Sequence, residues 1–463
     1  MKLRAWILYP ALAILMIACE RHPAMQEDAV PWLAIENVTV IPMDVERVQP
    51  GQTVLIQGDR IVEIGALGEV EVPGHAERVD GSGKYLLPGL AEMHAHLPLE
   101  DAPESLTDLV LTLFLSQGVT FARGMQGAPG HPQLRDAIAA GDRTGPRLQV
   151  AGPAMRGADL TDAETARERV RSQAEAGFDL IKIHEGLSPE VFGAIVATAD
   201  EHGLPFAGHV PDQVGLFRML EAGPATIDHL DNYLEALRPD HVAMPETPIF
   251  GVIELLPELE RDRIADVVAA TRTHQVAMVP TMALWSRFLE DAPADTYRDA
   301  FPELAWLPDA MLADWDEMFE RLRERIPAEA GSELQALRHE VLRALHSGGV
   351  YLLLGSDAPQ GFNVPGYSIH REMAYLQETV GLPPYEILFS GTRAVAEHLG
   401  TPEAFGTVLP ERRADLLLVR ANPLEDVRHA ADVAGVVRAG RWYPESWFQQ
   451  RLEALSSQAA AAY

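Results

Sequence analysis

The sequence is poor in cysteine and in positive charge. A single cysteine, Cys19, stands among 463 residues, which excludes a disulfide within the chain. Only 37 Lys and Arg face 68 acidic residues, for a formal net charge of −31. That deficit argues against nucleic acid, whose phosphates need a basic surface, and against adsorption onto anionic lipid. Solubility is the plain reading of the acidity. Repeats of the solenoid kind are absent, and nothing is low in complexity before the Ala-rich run at 459–462. Long apolar runs are scarce as well: AWILYPALAILMIA at residues 5–18 is too short for a comfortable membrane span. What is present is ordinary. An apolar content of 47% with 23% charged residues is that of a globular protein. The length suits a domain of roughly 250–350 residues with a smaller companion.

The apolar run follows a basic MKLR and ends in Met16-Ile17-Ala18-Cys19, which resembles a bacterial lipobox. The expectation is a lipoprotein signal peptide over 1–18, lipidation at Cys19 and a polar tether over 19–32. That describes an exported protein of the cell envelope, touching the membrane through its lipid alone. It would sit at the periplasmic face of a bacterial membrane, the outer rather than the inner.

Residues 33–86 read as short strands, with LAIENVTVIPM and QTVLIQGDRIVEIG broken by Gly- and Pro-containing turns. The texture returns over 401–445, in FGTVLPERRADLLLVRANP and AGVVRAGRWYP, ahead of a helical tail at 446–463. One small β-sandwich domain built from both chain ends is the expectation. Between them, residues 87–400 alternate. Candidate strands lie at 87–97, 118–125, 146–152, 178–184, 205–210, 226–231, 276–282 and 351–357, with helical patterns between. One helix would start near Thr161 with Glu164 as a capping box, and another at Ser188-Pro189. Eight strands alternating with helices predict an α/β fold, a (β/α)₈ TIM-like barrel whose active site lies at the C-terminal strand ends. Residues 283–346, with apolar spacing of helical period, predict a helical insertion, and a lid there would govern selectivity.

The expected strand ends carry a constellation. His94 and His96 end the first, Lys182 and His184 the fourth, His209 the fifth, His229 the sixth and Asp357 the eighth. Residues i and i+2 of a strand share a face, so both histidines of HAH point inward together. The HAH pair alone does not separate core packing from metal binding. A lysine amid the apolar neighbours of FDLIKIH is costly unless paired or neutralised, and carboxylation would convert it into a carbamate ligand. Imidazoles with carboxylate-type oxygens suit zinc and similar divalent ions, and six such groups exceed one tetrahedral site.

The pieces LPGLAEMHAHL, FDLIKIH, FAGHV, TIDHL and LLGSDAP, with GYSIHREM, LFSGTRAVAEHLG and FGTVLPERRADLLLV, resemble the metal-dependent amidohydrolase superfamily. The likeness spans about residues 33–442 and is nearest to its binuclear, carboxylated-lysine members, the imidazolonepropionase-like and exported dipeptidase-like proteins. The resemblance implies one metal on His94, His96 and Asp357, a second on His209 and His229, and carboxylated Lys182 between them. It also implies attack by a metal-bridging hydroxide on an amide-type C–N bond, with Asp357 as general base and then acid. The substrate would be a peptide, an N-acyl amino acid or a cyclic amide; phosphoester, lactone or carbamate hydrolysis on the same site is the alternative. A catalytically silent binding protein is disfavoured, because every ligand position is filled. His209-Val-Pro-Asp212 replaces the HxxE of deaminases, and Gly124 stands where many relatives place an aspartate. His184, Tyr233, Arg123 and His370 are candidate substrate contacts. A homo-oligomer is left open by the resemblance, with no feature fixing its number.

Overall fold

The computed structural model describes residues 30–244 and 250–462. The expected signal peptide, Cys19 and nearly all of the tether lie outside the described residues. Among the described residues no helix is long and apolar enough to cross a membrane.

The N-terminal part forms β1 (Trp32–Val40), β2 (Gln49–Gln57), β3 (Arg60–Ala66), β4 (Glu77–Asp80) and β5 (Tyr85–Pro88). The middle part gives β6 (Leu90–His96), β7 (Val119–Gln126), β8 (Arg147–Val150), β9 (Ile181–Ile183), β10 (Phe206–Gly208), β11 (Thr226–Asp228) and β12 (Ala277–Val279). The C-terminal part adds β13 (Leu416–Val419), β14 (Val433–Arg438) and β15 (Arg441–Pro444), then a helix Glu445–Ala462.

Strands from both ends meet, as expected, in a sheet of order β15-β14-β13-β5-β1-β2-β3, with β4 on β1. The pairing joins all eight into one sheet, and two separate facing sheets of a sandwich are not shown. Alternation explains its position. Leu86, Leu416, Leu418 and Val437 turn to a core shared with Leu33, Ile35, Val54 and Ile56. Their neighbours Leu87, Leu417, Val419 and Val436 turn the other way into the main core.

The middle part is a mixed α/β unit of parallel strands in chain order. β6-β7-β8 form one sheet and β9-β10-β11-β12 another, reversed only in how the order is read. Parallel bridges Ala151 to Leu180 and Met155 to Ile183 link β8 to β9, and Met278 to Leu352 links β12 to the 351–358 segment. The bridge from Ala95 to Ala358 returns to β6. The circuit is consistent with the expected barrel.

Two details differ from expectation. The eighth candidate strand is reduced to isolated bridges, and within it Ser356 N donates to the Glu92 side chain at 2.8 Å. The helix expected from Thr161 runs Ala163–Glu175, and its cap is Asp162, which accepts from Thr165 N at 2.9 Å. Ser188 does cap Pro189–Glu201, accepting from Val191 N at 3.2 Å. The 283–346 stretch is occupied by Met282–Leu289, Ala294–Ala300, Asp309–Arg325 and Ala328–Ser347.

Candidate active site

Short strands are what bring the polar side chains out. β9, β10, β11 and β12 each run only three residues before the chain leaves the ladder. Two of the candidate ligands sit in the left-handed backbone region, His229 just past β11 at φ +66° and Asp357 in the 351–358 segment at φ +64°. Such non-glycine geometry is strained and persists only where its surroundings fix it. Here Asp357 N donates to His94 O at 2.8 Å and His229 N to Val279 O at 2.8 Å. Gly208 makes room for the lysine: at φ +121°, a Cβ there would lie 2.8 Å from Lys182 Cδ and 2.6 Å from Ile183 O.

His94, His96, Lys182, His184, His209, His229 and Asp357 line one cavity of about 330 Å³. Imidazole centroids lie 4.5 Å apart for His94–His229, 4.8 Å for His209–His229 and 4.3 Å for His184–His209. Asp357 Oδ1 lies 3.1 Å from His96 Nε2 and 3.4 Å from His94 Nε2. One ligand atom from each of His94, His96 and Asp357 falls within a 4.8 Å cluster. Lys182 Nζ is 3.4 Å from His94 Nε2 and 4.0 Å from Asp228 Oδ2.

This donor set fits a divalent cation. Asp357 Oδ1 is buried with no hydrogen-bond partner among the described residues, although two imidazole nitrogens face it. Burial holds the histidines neutral, the state in which they ligate metal, and takes His96 down to about 3. Burial likewise lowers Lys182, with Asp228 and Asp357 acting in the opposite sense. It pushes Asp357 up to about 7, against the pull of Lys182.

Partners behind the histidines set their tautomers. His209 Nδ1 meets Asp231 Oδ2 at 2.5 Å, and His229 Nδ1 meets Thr281 Oγ1 at 2.7 Å. His94 Nδ1 lies 2.8 Å from Asp228 Oδ2, a close polar contact rather than an aligned hydrogen bond. Asp228, fully buried, also accepts from Thr226 Oγ1 at 2.7 Å and stands 3.5 Å from Arg123 Nη2.

Three candidate substrate contacts lie elsewhere. Arg123 is buried inside the strands, where Nε donates to Met93 O and Nη2 to Thr226 Oγ1, both at 2.8 Å. Tyr233 is fully buried, its hydroxyl 2.9 Å from Thr271 Oγ1, and burial raises its pKa. His370, on the helix Tyr367–Tyr375, sets Nε2 2.9 Å from Gln117 O. None of the three lines the cavity; each is buried and hydrogen-bonded elsewhere in the interior. Tyr233→Phe is accordingly expected to leave turnover unchanged and to lower stability by about 1 kcal/mol, read by urea unfolding. A large loss of turnover would return Tyr233 to the substrate site.

Sequence reasoning missed Asp228 and Asp231, although TIDHLD holds a signal: Thr226 and Asp228 are two apart on a strand, one face. It also missed Arg156 and Arg338, which line the cavity from outside the strands and leave no local signal.

The description "Amidohydrolase family" matches residues 85–443, most of the chain. The chain belongs to the amidohydrolase family. It is therefore an enzyme that hydrolyses carbon–nitrogen bonds. Its fold is similar to that of a candidate prolidase from Bifidobacterium longum, at 23% identity and a TM-score of 0.67, covering 93% of this chain and 99% of that one. A Xaa-Pro dipeptidase with methionine bound in its active site matches at 20% identity and a TM-score of 0.65, over 89% of this chain and 100% of that one. A bottromycin amidohydrolase matches at 22% identity and a TM-score of 0.67, over 93% and 92%. No curated protein matches the chain.

Proposed function

We propose that this amidohydrolase cleaves an amide-type C–N bond of a small molecule or short peptide at a metal centre inside a (β/α)₈ barrel, approached past the 283–346 helices. The observation that carries the reading is the convergence of His94 Nε2 and His96 Nε2 on Asp357 Oδ1, a buried oxygen without a hydrogen-bond partner among the described residues. His94, His96 and Asp357 would hold one divalent ion, zinc by donor type, and His209 and His229 a second, with carboxylated Lys182 shared. Bound there, the ions supply Lewis acidity, which acidifies water and polarises a carbonyl. Asp357 holds and moves the proton: Oδ1 faces the ligand cluster, while Oδ2, 3.7 Å from His229 Nδ1, is placed to take a proton from the attacking water and deliver it to the leaving nitrogen. Asp228, Asp231 and Thr281 keep the imidazoles oriented throughout. His184, on the cavity wall beside His209, is a substrate contact in this scheme. Lys182 supports carboxylation by its burial, since a neutral amine adds CO₂ and an ammonium does not. The domain limits and the lipid anchor at Cys19, with export to the cell envelope, belong to the same reading.

The test is metal analysis with an amine-release assay. Protein lacking residues 1–19 is expected to bind about two divalent ions per chain, more readily with bicarbonate, and to release amine from dipeptides, N-acyl amino acids or lactams. Failure to bind metal under replete conditions with bicarbonate sinks it.

A further inference from the structure

The cavity that holds the histidine cluster extends beyond it, and its far wall is apolar. Leu284, Trp285 and Phe288 come from the helix Met282–Leu289, Met318 and Leu322 from Asp309–Arg325, and Leu334 from Ala328–Ser347. All six belong to the connection between β12 and the 351–358 segment. Most of the apolar end is thus made by this connection, with Phe250 and Val252 joining it from the segment after β11.

The wall is braced. Trp285 lies 6.0 Å from Phe288, and Phe288 lies 5.7 Å from Phe319. The Arg338 guanidinium sits 4.4 Å above the Trp285 ring, while its Nη2 donates to His229 O at 2.7 Å. One buried arginine therefore ties the apolar wall to the strand end carrying His229. On the other side, the buried Glu372 carboxylate accepts from Met282 N at 2.8 Å and Ala283 N at 2.7 Å, closing the N-terminus of the first wall helix. A wall held this way does not collapse into the void. Water inside it finds few hydrogen-bond partners, so an apolar group that displaces it gains free energy.

We infer that this chamber is a binding subsite for a bulky apolar substituent, aromatic or branched aliphatic, on the amide substrate. The subsite rests on the reading of the histidine end as the reaction centre, and it makes the β12-to-351 connection the determinant of specificity. Arg338, whose Nε has no hydrogen-bond partner among the described residues, stands at the border between the two ends. The substrate would thus present its amide to the histidines, a polar group near Arg338 and its apolar bulk to the helices.

Calorimetry on the metal-loaded full chain tests this with acetohydroxamate, 4-phenylbutanohydroxamate and, as a tail without a metal-binding head, 4-phenylbutan-1-ol. The phenyl hydroxamate is expected to bind about 30-fold more tightly than acetohydroxamate. Met318→Trp, which fills the chamber from a half-buried position, should abolish that gain and leave acetohydroxamate unaffected. Phe288→Ala should weaken only the phenyl compound, so a folding failure in one variant leaves the other to decide. Equal binding of the two hydroxamates, or a gain that survives Met318→Trp, overturns the subsite. Should neither hydroxamate bind while the alcohol binds metal-free protein in a manner blocked by Met318→Trp, the metal centre falls and the subsite stands. An alcohol that fails as well overturns both.

Discussion

Asp357→Asn is expected to lower kcat about 10³-fold or more with the fold intact. The substitution keeps the shape of the side chain and the Asp357 N to His94 O hydrogen bond, which depends on backbone alone. What it removes is the anionic oxygen that His94 Nε2 and His96 Nε2 face at 3.4 and 3.1 Å. An amide cannot accept a proton from water near neutral pH, and its NH₂ group could present hydrogens to the same imidazoles. Loss of both the anionic ligand and the proton carrier separates this change from an ordinary core substitution. Steady-state kinetics on the best amide found, with metal analysis on the same sample, reads the result. An Asn variant that retains its metal and turns over at nearly the parental rate would remove Asp357 from the mechanism.

Asp228→Asn, at a position that touches no substrate, is expected to weaken metal affinity by about 10- to 100-fold and stability by about 3 kcal/mol. Asp228 is the counterion of the buried Arg123, whose Nη2 lies 3.5 Å away, and stands 4.0 Å from Lys182 Nζ. It also faces His94 Nδ1 at 2.8 Å, where its charge favours the tautomer that leaves Nε2 unprotonated toward Asp357. Asparagine takes away the charge and leaves the Arg123 guanidinium uncompensated in the interior. Competition with a chelating dye measures the affinity, and urea unfolding of metal-free protein measures the stability separately. If affinity is unchanged while stability falls, Asp228 is scaffold alone.

Much of the site was legible along the chain because strand geometry is local. HAH and IKIH carry their polar groups at spacings that a strand must send to one face, and the structure places His94, His96, Lys182 and His184 around one cavity. The meeting of the two chain ends in one sheet was legible too, since alternating runs before residue 87 and after residue 405 need a partner for their apolar faces. Tyr233, Arg123 and His370 mark where this reasoning stops. Sequence put them near strand ends or the expected mouth, and each instead makes a hydrogen bond within the protein interior.

The sequence by itself determined the alternation of elements, the order of the polar strand ends and the chemical type of the donor set, because each follows from periodicity over a few residues. Only the tertiary structure decided which groups stand behind them. Asp228 behind His94, Arg338 between His229 and Trp285, and Glu372 on the helix at Met282 join residues 134, 109 and 90 positions apart. Such pairings are selected by burial and charge neutralisation in the packed interior, and no local period of the chain encodes them.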